Sequence, residues 1–99
     1  MKLRVGKRAQ KQAETMESWW VANRPDAPTL FTDELEQTFH SICNVRSAGV
    51  RWPTLRRPNL RRILMTETKN HVYFDIDEAN DTVRVYALWG APRGATPKL

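Results

Sequence analysis

The spacing of apolar positions changes repeatedly along this chain and divides it into strands and helices. In the opening MKLRV, Leu3 and Val5 alternate with Lys2 and Arg4, the period of a short strand. From Arg8 the period lengthens, and Ala9, Ala13, Met16 and Trp20 fall on one stripe of an amphipathic helix. Asn23-Arg24-Pro25 ends it, because a residue before proline is driven out of helical backbone angles. Asp26 offers a capping oxygen and Pro28 is tolerated in a first turn, so a second helix is expected to begin there. Phe31, Leu35, Phe39 and Ile42 share its apolar face, and Asp33, Glu34 and Glu36 suit the positive end of its dipole. The short connection makes the two helices a hairpin.

Beyond the helices, residues 47–59 hold Gly49, Pro53 and Pro58, show no period, and read as a long loop. Leu60–Thr66 is a candidate strand. In His71–Ile76, Val72, Phe74 and Ile76 alternate with His71, Tyr73 and Asp75; in Thr82–Trp89, Val83, Val85 and Ala87 alternate with Arg84, Tyr86 and Leu88. The intervening DEAND is hairpin-loop chemistry, with Asn80 and Asp81 able to take positive φ. Residues 90–99 form a Gly/Pro-rich tail without a strand or helix pattern.

The pattern therefore predicts one α+β domain over residues 1–99, in the order β-α-α-β-β-β, with the helical hairpin on one face of a small, mostly antiparallel sheet. The helices would cover the Val72/Phe74/Ile76 and Val83/Val85/Ala87 face. The opposite face would carry His71, Tyr73, Asp75, Arg84 and Tyr86, and binding or chemistry would sit there.

Charge narrows the class of partner. Sixteen basic residues against eleven acidic ones give a formal net charge of +5, which favours an acidic partner such as RNA, DNA or an acidic protein segment. The basic residues are clustered: Lys2, Arg4, Lys7, Arg8 and Lys11 crowd the N-terminus, and RWPTLRRPNLRRILM (residues 51–65) sets arginines around Trp52 and two prolines. Cys43 is the single cysteine, which removes intrachain disulfides, and with His40 and His71 it makes no metal motif. No cofactor is expected. The basic N-terminus has no following apolar run of the kind a signal peptide needs, and no segment approaches the ~20 apolar residues of a membrane span, so a cytoplasmic location is expected.

Each feature has a plain structural reading beside a functional one. His71 titrates in the range of a general base, yet a strand histidine also serves simply as a polar residue on a solvated face. Tyr73 and Tyr86 would pair across strands whether or not they do chemistry. The arginines of residues 51–62 suit solubility as well as binding, although Trp plus Arg is the composition of interface hot spots. Trp20 lies in the first helix's apolar stripe; Trp19, about 100° round the helix, sits at its edge, where a partner helix could use it. Trp89 closes the last strand as core anchor or partner contact.

From Gly49 onward the order and spacing of RWPTLRRPNLRRILM, HVYFDIDEAND and VRVYALWGAPRG resemble the RelE/ParE superfamily of bacterial type II toxin–antitoxin toxins. The resemblance implies a growth-inhibiting toxin, associated with plasmid stabilisation, that is silenced by a cognate antitoxin in a hetero-oligomer. The ParE-like branch acts on DNA gyrase; the RelE-like branch cuts mRNA on the ribosome without metal. For the second activity, His71, Tyr73 and Tyr86 would be the proton-transfer groups, and Arg61, Arg62, Arg84 and Arg93 the contacts to target or phosphate. Trp19, Trp52, Arg56, Arg57 and Trp89 would bind antitoxin or another partner. The RelE-like pattern includes lysines near the end of the helical region, whereas residues 26–68 here contain none and arginine is too weak an acid to act as a base at neutral pH. Asp75 would also repel a phosphate. The expectation leans to the ParE-like branch, with ribonuclease and a stacking, basic nucleic-acid-binding module as alternatives.

Overall fold

The computed structural model describes residues 1–91 and 96–99. The elements are β1 (Lys2–Val5), α1 (Lys7–Asn23), α2 (Leu30–Asn44), β2 (Val50–Arg51), β3 (Arg61–Met65), β4 (Asn70–Asp77) and β5 (Thr82–Gly90). They build one five-stranded sheet in the order β1-β5-β4-β3-β2; β1 runs parallel to β5 and every other pairing is antiparallel. The expected α+β architecture is thus present, with one strand more than the sequence pattern shows. Strand β2 lies inside the segment read as a loop and is too short for any period to reveal it. It turns in at Gly49, whose φ of 73° suits glycine and whose hypothetical Cβ would lie 2.7 Å from the Arg62 carbonyl oxygen.

The helix-side core follows the stripes. Ala9 and Trp20 from α1, Phe31 and Ile42 from α2, and Val72, Phe74, Val83 and Val85 from the sheet are buried together, with Ala13, Met16, Leu35, Phe39 and Cys43 at the margin. The fully buried Val, Ile and Phe side chains contribute about 1.5–3 kcal/mol each. Helix α2 starts later than Asp26 and Pro28 suggest: its N-cap is Thr29, and residues 25–29 are turn or bend.

One irregularity reorganises the last strand. Tyr73 pairs with Ala87 but Phe74 pairs with Val85, so Tyr86 is an extra residue in β5, a β-bulge. The bulge shifts the alternation by one. Leu88, expected on the outer face, packs in the helix-side core, while Ala87, expected under the helices, joins Leu60 and Tyr73 in a second buried cluster. The Leu88 N–H just past the bulge is taken by Gln12 Oε1 of α1 at 2.8 Å.

The second cluster also changes the outer face. Trp52 N donates to the Leu60 carbonyl at 2.9 Å and Thr54 N to that of Arg57 at 3.0 Å, folding residues 52–60 into a closed excursion. Leu60 and the partly buried Leu99 pack with Tyr73 and Ala87 on this side of the sheet, and Tyr73 is 1% exposed. The face expected to be open and polar is half covered by the basic segment and the C-terminal residues.

Glu34, expected to serve the helix dipole, is buried at 8% exposure and does other work. Its carboxylate accepts from Glu67 N at 2.7 Å, Thr68 N at 2.9 Å and Thr68 Oγ1 at 2.7 Å, clamping the β3–β4 turn to α2. Glu34→Ala, which strands those donors, is expected to lower unfolding free energy by about 2–3 kcal/mol, and Glu34→Gln by roughly half of that. Urea titration with an unchanged m-value would show it; equal midpoints for wild type and Glu34→Ala would refute the clamp.

Candidate functional site

The candidate site is the outer sheet face and the two clefts that the covering segments leave on it. Alternation sends Arg62 of β3, His71, Tyr73 and Asp75 of β4, and Arg84, Tyr86 and Trp89 of β5 to this side. Arg61, one residue earlier than Arg62, faces the helix layer. Its guanidinium donates to the Ala48 carbonyl at 3.2 Å and the Gly49 carbonyl at 3.3 Å, which fixes the entry to β2. The paired arginines that open β3 therefore have different surroundings and do not act as one anion site.

The first cleft, about 220 Å³, is lined by Trp52, Arg62, His71, Tyr73, Trp89, Gly90, Ala91 and Thr96. Arg62 lies 3.5 Å over the Trp52 ring and donates through Nη1 to the Tyr73 hydroxyl at 3.3 Å. His71 sits with its ring 6.1 Å from that of Tyr73, opposite Trp89 in the β4–β5 pairing. Burial, reinforced by the Arg62 charge, lowers the His71 pKa from 6.5, so its imidazole is neutral at physiological pH.

Farther along the same face, Asp75 (7% exposed) is the hub of a second group. It accepts from Arg84 Nε at 2.9 Å, from Arg84 Nη2 at 3.3 Å and from the Tyr86 hydroxyl at 2.8 Å. The hydrogen bond to Asp75 raises the Arg84 pKa further, and burial followed by the Asp75 hydrogen bond raises that of Tyr86 above 10.0. Arg57 stacks on the other polar residue of this group, with its guanidinium carbon 3.8 Å from the Tyr86 ring centroid. Arg–aromatic contacts of this kind are worth about 0.5–2 kcal/mol.

These contacts redistribute the roles expected from sequence. Tyr86 directs its proton to Asp75, Arg84 is neutralised by the same carboxylate, and Tyr73 has only its hydroxyl within reach of Arg62. His71, Tyr73 and Tyr86 therefore do not converge on one point as a proton-transfer set. The expected repulsion of phosphate by Asp75 is cancelled by Arg84, which is correspondingly less available as a free cation. Arg93 lies outside the described residues. Among the partner candidates, Trp52 and Trp89 line the first cleft, whereas Arg56, on the loop that carries the fully exposed Leu55, is exposed and lines a separate cleft with Arg57. Trp19, 54% exposed, lies on α1 in the helix layer, edge-on to Trp20 at 5.6 Å, and does not join them. Thr54 and the C-terminal residues, which hold the covering layer in place, carry no signal in the sequence.

No family model matches the sequence, and no curated protein does. A solved structure described as the chromosomal ParDE TA system from P. aeruginosa contains a chain that superposes with a TM-score of 0.71 at 12% identity, covering 91% of this chain and 95% of that one. The two chains share a fold. Identity that low carries the architecture, and the site must be argued from this chain's own side chains.

The lowered His71 pKa has a consequence for stability. The unfolded chain binds that proton at a pH where the folded chain does not, so stability is full above 6.5 and falls as pH drops toward the folded value. Arg62→Gln removes the second cause and leaves the first, so the His71 pKa should rise part of the way back. NMR titration of the His71 ring protons measures this; a pKa unchanged by Arg62→Gln would exclude the electrostatic contact between them.

Proposed function

We propose that this protein is the toxin of a type II toxin–antitoxin module, neutralised by direct binding of a cognate antitoxin, and that its target is DNA gyrase, engaged through protein contacts. The observation that carries the reading is the internal pairing of the outer face. Tyr86 and Arg84 are committed to Asp75, and Tyr73 is buried beneath residues 52–60, so general acid–base chemistry lacks its second proton-transfer group. What remains exposed there is contact chemistry: Trp52, Leu55 and Arg56, an aromatic and arginine-rich surface suited to a protein. The likeness to the ParDE chain supports the toxin reading at the level of fold.

A second reading, ribosome-dependent cleavage of mRNA, draws on one observation, the neutral His71 beside Arg62 in an accessible cleft. In it, His71 would take the 2′-hydroxyl proton and Arg62 would stabilise the charge developing on phosphorus.

Induction of the protein alone in a bacterial host separates the two. The gyrase reading expects growth arrest with a DNA-damage response, intact messages and an arrest that His71→Ala leaves unchanged. It also expects purified protein to inhibit gyrase supercoiling, with Trp52→Ala weakening inhibition by about tenfold or more, as loss of a hot-spot aromatic does. Cleaved messages, with a loss of toxicity in His71→Ala, would replace it by the ribonuclease reading. Growth without arrest would remove both.

A further inference from the structure

A second cleft, apart from the Trp52–His71 cleft, gathers cations from three distant parts of the chain. It has a volume of about 290 Å³ and is lined by Gly6, Lys7, Arg8, Arg56, Arg57, Tyr86, Lys98 and Leu99. Arg8 and Lys7 come from the first turn of α1, Arg56 and Arg57 from the excursion after β2, and Lys98 from the C-terminal residues. The parts are tied: Arg8 Nη1 donates to the Lys98 carbonyl at 3.0 Å, and Thr54 Oγ1 to a terminal carboxylate oxygen of Leu99 at 2.9 Å. Among the described residues, no acidic side chain lines this cleft and no ion pair engages its cations; the one anion in the lining is the terminal carboxylate of Leu99. Arg57 Nε is buried with no hydrogen-bond partner. Gly6, the N-cap of the seventeen-residue α1, provides no capping side chain, and no acidic residue stands in the first turn.

A free cluster of this density carries an electrostatic cost that a bound anion would relieve. Its donors are guanidinium forks, ammonium groups and the unpaired N–H groups at the start of a helix, a set matched to tetrahedral oxygen anions. The number of cations in so small a volume exceeds what one carboxylate could balance and suits a group with several charges.

We infer that this cleft is a binding site for a chain of phosphate groups. Lys7, Arg8, Arg56 and Lys98 hold the anion, and Arg57, braced on Tyr86, forms its wall. The phosphates can belong to a free nucleoside polyphosphate or to the end of a nucleic-acid strand. The assignment goes beyond the toxin reading: it shares Arg56 with the proposed protein-contact surface but rests on this cleft's own cations.

Calorimetric titration of the full chain with inorganic tripolyphosphate at about 0.15 M salt, where distant charges are screened, is the test. Saturable one-to-one binding is expected. The double variant Lys7→Ala/Arg56→Ala, whose side chains are exposed and make no described internal hydrogen bond, should weaken it by about tenfold or more through loss of charge-assisted contacts. Arg24→Ala/Arg51→Ala removes the same charge away from the cleft and should cost less than about twofold. Absence of saturable binding, or equal losses in both double variants, would overturn the site. So would tighter binding of a glutamate peptide of equal charge, which would identify a carboxylate surface. Competition by ATP at least as strong as that by a 5′-phosphorylated oligonucleotide supports a free nucleotide. A tighter oligonucleotide with a steep salt dependence supports a strand end.

Discussion

The extra residue at Tyr86 is the constraint on which the outer half of this molecule depends. Without it, β5 would keep a strict alternation and Ala87 would lie beneath the helices. With it, Tyr86 and Ala87 both turn outward in succession, and Leu88 returns to the helix-side core. The small Ala87 leaves room for Leu60 and Tyr73 to close a second cluster. Tyr86, tilted out of the ladder, reaches Asp75 with its hydroxyl and offers its ring to Arg57. One inserted residue thus gives a thin two-layer protein a partial third layer.

The arginines illustrate how little a residue's charge says about its task. Arg57 and Arg62 lie on aromatic rings, Arg61 holds backbone carbonyls, and Arg84 is bound to Asp75. Only part of the basic segment is left to meet another molecule. The basic segment therefore does two things in one stretch: Arg57, Arg61 and Arg62 make contacts within the domain, while Arg51 and Arg56 are exposed. A guanidinium suits both tasks because its flat face is weakly hydrated while its edge donates five hydrogen bonds.

Much of this architecture is legible in periodicity. The helical stripes Ala9–Trp20 and Phe31–Ile42, the Val72/Phe74/Ile76 face of β4 and the Val83/Val85 half of β5 all fall where the spacing places them. What is not legible depends on contacts between distant segments. A bulge leaves no trace in alternation, so the faces of Ala87 and Leu88 come out reversed. A two-residue strand such as β2 has no period. Tyr73 looks solvent-facing until residues 52–60 are folded over it, and Glu34 looks like a dipole acid until the β3–β4 turn arrives at its carboxylate. Arg61 and Arg62 read as a unit in sequence, although strand geometry alone separates adjacent residues onto opposite faces. For the candidate site, residue types were visible in advance; which of them pair with one another was not.

The parallel pairing of β1 with β5 has a kinetic side. Lys2 meets Thr82 and Arg8 meets Lys98, contacts that close nearly the whole chain into a loop. Such closures carry an entropic cost before any contact rewards them, and they slow folding relative to a chain built from local hairpins. The β3–β4–β5 meander can assemble from neighbours, whereas the edge strand must find its place from the far end. The two ends of the chain therefore meet at one seam, and the basic cleft that straddles it is complete only with both ends in place.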